Sequence, residues 1–108
     1  MAFTAFHNIN SATDGQEVEL IAAGDNAGNV KSILLTNVDS AAITVDLFLQ
    51  EVTSSTRYHL LFNVSLPVGA SLLLDNSDML AFNNGSDGFS LNLNLGTTSD
   101  LINVLIKI

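Results

Sequence analysis

The stretch Phe89-Ser90-Leu91-Asn92-Leu93-Asn94-Leu95 decides the fold. Its apolar residues take every second position, and Ser and Asn fill the gaps. Side chains of an extended chain alternate between faces, so this segment has one dry face and one wet face. An antiparallel strand that covers a core on one side reads this way. The same period extends outward in both directions. Ile43, Val45, Leu47 and Leu49 fall on one face of 43–49, and Tyr58, Leu60, Phe62, Val64 and Leu66 on one face of 57–66. Weaker alternation predicts strands at about 17–23, 30–37, 70–75, 79–83 and 101–108.

Turn chemistry separates these segments. Gly24-Asp25-Asn26-Ala27-Gly28, Asp39-Ser40, Thr53-Ser54-Ser55-Thr56 and Pro67-Val68-Gly69 each interrupt the alternation, and Gly96-Thr97-Thr98-Ser99-Asp100 precedes the last strand. Asn83-Asn84-Gly85-Ser86-Asp87-Gly88 is a strong hairpin signal, because Asn-Gly and Asp-Gly readily take positive φ. About eight short strands without a convincing helix predict an all-β fold, a single β-sandwich of jelly-roll or immunoglobulin-like type, with a closed barrel as the alternative. Residues 16–108 form the sandwich domain. Residues 1–15, which carry Phe3 and Phe6, read as an N-terminal arm or an extra edge strand.

Composition narrows the function. The chain has 108 residues, 47% hydrophobic and 13% charged, which is the length of one domain and too apolar for disorder. Lys31, Arg57 and Lys107 face eleven carboxylates, for a formal charge of −8. Phosphate backbones and anionic membrane surfaces both require clustered Lys and Arg, so nucleic-acid and membrane partners are not expected. No apolar run reaches the ~18–20 residues of a membrane helix, and the N-terminus lacks the basic and apolar regions of a signal peptide. The expectation is a soluble protein. Cysteine is absent, which excludes thiolate nucleophiles and zinc–thiolate sites.

The remaining chemistry is sparse. His7 and His59 lie in different elements, and neither has the context of a catalytic triad. No glycine-rich loop joins a strand to a helix, so nucleotide binding has no support. Asp75-Asn76-Ser77-Asp78 and Asn83-Asn84-Gly85-Ser86-Asp87 offer oxygen donors of the kind Ca²⁺ uses, but both are ordinary turn composition and neither has EF-hand spacing. Asn63-Val64-Ser65 and Asn84-Gly85-Ser86 match the glycosylation acceptor pattern by chance. A sugar platform would need exposed aromatic rings, whereas Tyr58 and most phenylalanines are expected to face inward. The reading is a non-enzyme without cofactor or metal.

One feature exceeds the needs of a lone sandwich. Leu34-Leu35, Leu60-Leu61-Phe62, Leu72-Leu73-Leu74 and Leu101-Ile102 with Val104-Leu105-Ile106 are apolar on both strand faces. Loops of the same chain could cover the second face. The reading adopted is burial against identical subunits, because large apolar patches are rare on monomers. Candidate assembly contacts are Phe3 and Phe6 in the arm and Leu105 and Ile106 in the last strand. Alternation puts one of the last two in the core and the other at a contact.

The run Val30-Lys31-Ser32-Ile33-Leu34-Leu35-Thr36-Asn37, then Ala42-Ile43-Thr44-Val45-Asp46-Leu47-Phe48-Leu49, then Val64-Ser65-Leu66-Pro67-Val68-Gly69-Ala70-Ser71-Leu72, resembles small virion structural proteins of tailed bacteriophages. The resemblance spans about residues 18–108 and departs at Gly24-Asp25-Asn26-Ala27-Gly28-Asn29, where many relatives carry a Val-Pro-Ala-Gly-Lys turn. It implies a virion protein assembled in the host cytoplasm, most simply a capsid decoration (cement) protein that binds the major capsid protein or another virion protein. A tail, baseplate or fibre component and a glycan-binding module are the alternatives. It also implies a homo-oligomer, with a trimer as the expected assembly.

Overall fold

The computed structural model describes residues 3–97 and 99–108. It is all-β, with eight strands in two antiparallel four-stranded sheets that pack as a sandwich. The strands are β1 (Ala5–Asn10), β2 (Glu17–Ile21), β3 (Ser32–Asn37), β4 (Ile43–Glu51), β5 (Arg57–Leu66), β6 (Ser71–Leu74), β7 (Phe89–Leu95) and β8 (Leu101–Lys107). Sheet A has the order β1-β8-β3-β6 and sheet B the order β2-β7-β4-β5. Strands pair as first with last, second with seventh, third with sixth and fourth with fifth. The chain is therefore one long hairpin, closed at the β4–β5 turn, whose paired arms wrap alternately into the two sheets.

Register builds the core in rows. Across the inner face of sheet A, Ala5, Ile106, Ile33 and Leu74 stand opposite one another, and the next row is His7, Val104, Leu35 and Leu72. Sheet B answers with Val18, Leu93, Leu47 and Leu61, flanked by Leu95, Val45 and Val64. Ile33, Leu35, Val45, Leu47, Leu91, Leu93, Leu95, Ile102, Val104 and Ile106 are all buried. The alternation in β4, β7 and β8 thus places the side chains where period two requires.

The structure corrects two expectations and decides a third. Residues 79–83 do not form a strand: Ser77–Leu80 is a single helical turn, α2, capped by the Asn76 side chain, which accepts from the Asp78 N–H at 3.1 Å. Asn and Asp at such a cap satisfy free amides better than a strand edge would, and the turn drops Leu80 into the core. A similar turn, α1 (Ser11–Asp14), capped by Asn10, links β1 to β2. Second, of the two readings of residues 1–15, Ala5–Asn10 takes that of the extra edge strand, pairing along its whole length with β8 at the edge of sheet A. Third, β5 does not keep one apolar face. Its register against β4 shifts twice, and Asn63 sits at φ 54°, donating its N–H to Asp46 Oδ1 at 2.5 Å. Each shift inserts an extra residue, so Leu61 and Val64 point inward while Tyr58 and Phe62 are exposed.

Buried asparagines pin the connections. Asn37 donates to the carbonyls of Ala41, Leu66 and Pro67 at 2.9, 2.9 and 3.1 Å, and accepts from the Asp39 N–H at 2.8 Å. It ties the β3–β4 loop to the turn after β5. That turn reverses over Pro67-Val68-Gly69-Ala70, with Gly69 at φ 73° and Ala70 N–H on the Pro67 carbonyl at 3.0 Å, the geometry of a type II turn. Asn84 bonds Ala27 N–H at 2.7 Å and the carbonyls of Ala22 and Phe89 at 2.9 Å each. At Gly28, pressed against this loop, a Cβ would collide with the Phe82 carbonyl oxygen.

Candidate functional surface

The structure places the two histidines in different sheets. His7 faces inward from edge strand β1, opposite Val104, and burial lowers its pKa from the usual histidine value. His59 lies on the outer face of β5, opposite Phe48, at the far edge of the other sheet. Among the described residues, no group of three or more His, Asp or Glu could hold a metal ion. The two Asp/Asn clusters are used locally: Asn76 caps α2, Asn83 accepts from the Gly85 N–H at 3.0 Å, and Asn84 is buried and fully bonded. No helix among the described residues is long and apolar enough to cross a membrane.

The informative surfaces are the two outer sheet faces. On sheet A, Phe6 stands opposite Leu105, Leu105 opposite Leu34, and Leu34 opposite Leu73. One apolar row therefore crosses all four strands. Phe6 and Leu73, at its two ends, are 67% and 52% exposed, while Leu105 and Leu34 are partly exposed at its centre. The adjacent row is polar: Asn8, Asn103, Thr36 and Ser71, with the last two hydroxyls 2.9 Å apart. Asn103 Oδ1 in this row is shielded from solvent without a hydrogen-bond partner. Not one of the eleven side-chain carboxylates lies on a strand of sheet A.

The outer face of sheet B differs. It carries Glu17, Glu19 and Asp46 together with Phe48, which is fully buried although it points away from the core. Its cover is local. The Arg57 guanidinium lies 4.6 Å above the Phe48 ring and pairs with Glu17 at 2.7 Å. The His59 ring sits 5.3 Å from Phe48, and Phe62 packs edge-on against His59 at 5.0 Å.

The predicted assembly residues divide accordingly. Ile106 is a core side chain, which removes it from the contact set. Leu105 and Phe6 stand side by side on the outer face of sheet A, and Phe3 lies with its ring 5.0 Å from Lys107 Nζ at the same end. Leu34 and Leu73 complete the row, and the sequence marks them only as parts of doubly apolar runs. Their membership follows from strand register, which no local pattern states. The aromatic exposure expected to be missing is present at Phe62 and Tyr58, but Tyr58 packs on Phe89 at 5.9 Å, away from the Phe62–His59 pair.

No protein-family model and no curated protein matches this chain. Among solved structures, the Anabaena sensory rhodopsin transducer is similar at 9% identity and a TM-score of 0.41, over 98% of this chain and 96% of that one. A likeness of that strength carries no functional argument.

Proposed function

We propose that the protein is a non-enzymatic structural subunit of a phage particle, a decoration protein that binds and stabilises the head, with a tail position as the alternative. The observation that carries this reading is the apolar row Phe6–Leu105–Leu34–Leu73, laid across an outer sheet face, with exposed residues at both ends and partly exposed ones at its centre. A catalyst concentrates reactive groups in a cleft; here the unsatisfied surface is a sheet face, which suits protein contact. The nested strand order is compatible with jelly-roll wrapping, a frequent design among capsid proteins.

Purified particles, examined by mass spectrometry and by electron microscopy with a tagged chain, test the reading. Regularly spaced density on the head, lost when the gene is deleted and restored by adding the purified protein, is the expected result. A protein that stays wholly in the host lysate and never co-purifies with particles would refute it. The exposure of Phe62 favours glycan contact as a second reading, which a glycan array checks: binding that Phe62→Ala abolishes would establish it.

A further inference from the structure

We infer that the outer face of sheet A is where copies of this chain meet one another. The inference names the surface that the assembly reading needs and rests on that reading. Three observations single out this face and this occupant. The first is charge. With a formal charge of −8, two copies repel wherever their carboxylates approach. Four of the acids, Glu17, Glu19, Asp46 and Glu51, lie on strands of sheet B, and the other seven lie in connections and helical turns. The strands of sheet A carry none, and add Lys107. It is the one sheet surface on which self-contact incurs no like-charge penalty between carboxylates.

The second is pattern. The row Phe6–Leu105–Leu34–Leu73 is apolar from edge to edge, and the row beside it is Asn, Asn, Thr and Ser. Asn8 and Ser71 are the exposed polar groups of that second row, whereas Asn103 Oδ1 is shielded within the chain. The matching row of a second copy presents the same amide and hydroxyl groups, which both donate and accept.

The third is size. Four strands at ~4.8 Å spacing make a face about 19 Å wide, and at ~3.4 Å per residue it is about 24 Å long at the seven-residue β8 and about 14 Å at the four-residue β6. Sheets packed face to face lie ~10 Å apart, so each outer layer of side chains fills about 5 Å. Two such faces meet in full. Three, closed into a prism, leave about 5.5 Å from each sheet to the axis, which the same side chains fill, whereas four would leave a channel of roughly twice that depth. The face therefore fits a dimer or a trimer. At most ~450 Å² per copy, or ~900 Å² per pair, the face lies below the range of permanent interfaces and in that of weak, transient ones, so association depends on concentration.

The chain has no cysteine, so a single introduced one reports self-contact alone. The test combines solution mass by light scattering across a concentration series with mild oxidation of two variants, L105C on the proposed face and F62C on the outer face of sheet B. Expected are a mass that rises two- or threefold with concentration, a fall to the monomer in Leu105→Asp at unchanged circular dichroism, and cross-linked pairs in L105C but not F62C. Should Leu105→Asp misfold, the L105C result still decides. A wild-type chain that stays monomeric at every concentration, or F62C cross-linking as readily as L105C, would overturn the inference. A monomer that nonetheless decorates particles would leave the proposed function standing, so the two readings fail separately.

Discussion

The two outer faces of the sandwich handle the same problem differently. Each sheet presents apolar residues away from the core. On sheet B the outward Phe48 is buried because a long side chain from the neighbouring strand, Arg57, lies over it while its charged head pairs with Glu17. Arginine does this well, since its planar group stacks on a ring and its stem covers apolar area. On sheet A the residues opposite Leu105 are Phe6 and Leu34, and those opposite Leu34 are Leu105 and Leu73. No long polar side chain stands in that row to fold over it. An outward apolar residue is thus a packing residue or a contact residue according to its cross-strand neighbours, not its own hydrophobicity.

The sharpest way to break this comparison uses adjacent residues in β8. Ile106→Asp places a carboxylate in the core, where an unpaired charge costs several kcal/mol, a large share of a total stability of ~5–15 kcal/mol. Circular dichroism and thermal melting should show an unfolded or severely destabilised chain. Leu105→Asp, one position away on the outer face, should melt within about 1 kcal/mol of wild type. Equal losses at both positions would mean that the two faces of β8 are not distinct.

The next comparison sets Phe48 against Phe6. Both point outward, yet Phe48→Ala should cost ~3 kcal/mol because it empties a fully enclosed site, and Phe6→Ala less than about 1 kcal/mol. Denaturant midpoints measure both. A mild effect at Phe48 would show that the Arg57–His59 cover is loose in solution.

Much of this division was legible in the sequence, and the rest fails for identifiable reasons. Strict alternation in β7 and in 43–47 marks the core residues Val45, Leu47, Leu91, Leu93 and Leu95 directly. Strand β5 misleads because its two register shifts carry no glycine to announce them; Asn63, at positive φ, is the only local hint, asparagine being among the residues that best tolerate that region. The α2 turn was readable as Asn76-Ser77-Asp78, a helix cap, but the apolar Met79 and Leu80 that follow resemble a strand. The candidate surface was half visible. Doubly apolar runs mark the strands concerned, but only the pairing of β1, β8, β3 and β6 joins Phe6, Leu105, Leu34 and Leu73 into one row, and pairing of strands far apart in sequence is not a local property.

Polar residues on sheet A sharpen the contrast further. Asn37 faces inward and satisfies three carbonyls, so Asn37→Ala should cost ~2 kcal/mol by stranding buried acceptors. Asn8→Ala, on the outer face, should be neutral in the isolated chain and should act only on association. Arg57→Gln on sheet B should cost about 1 kcal/mol or less, because its ion pair is partly exposed and screened. Added salt should shrink that difference.

The smallest expected effect concerns the edge where sheet A begins. His7 is the one inward-facing polar side chain of β1, it stands opposite Val104, and its Nε2 is shielded without a partner. Burial without a counter-charge penalises the imidazolium, so the folded pKa lies below the unfolded one. The sign follows from proton uptake. Above the ordinary histidine pKa both states are neutral and His7 contributes no pH dependence. As pH falls through that value the unfolded chain takes up a proton that the folded chain resists, and stability declines until the folded pKa is passed. Melting temperature should therefore drop between about pH 7 and pH 5. Carboxylates also titrate towards the lower end of that window, so the readout is the difference between wild type and His7→Gln, which lacks the titrating ring. The variant should lose less stability over the same interval, and hydrogen exchange in wild type should rise first in Ala5–Asn10, where β1 pairs with β8 only. Identical pH profiles for the two proteins would mean that the His7 ring is solvated, and that β1 lies less closely over the sandwich than its register indicates.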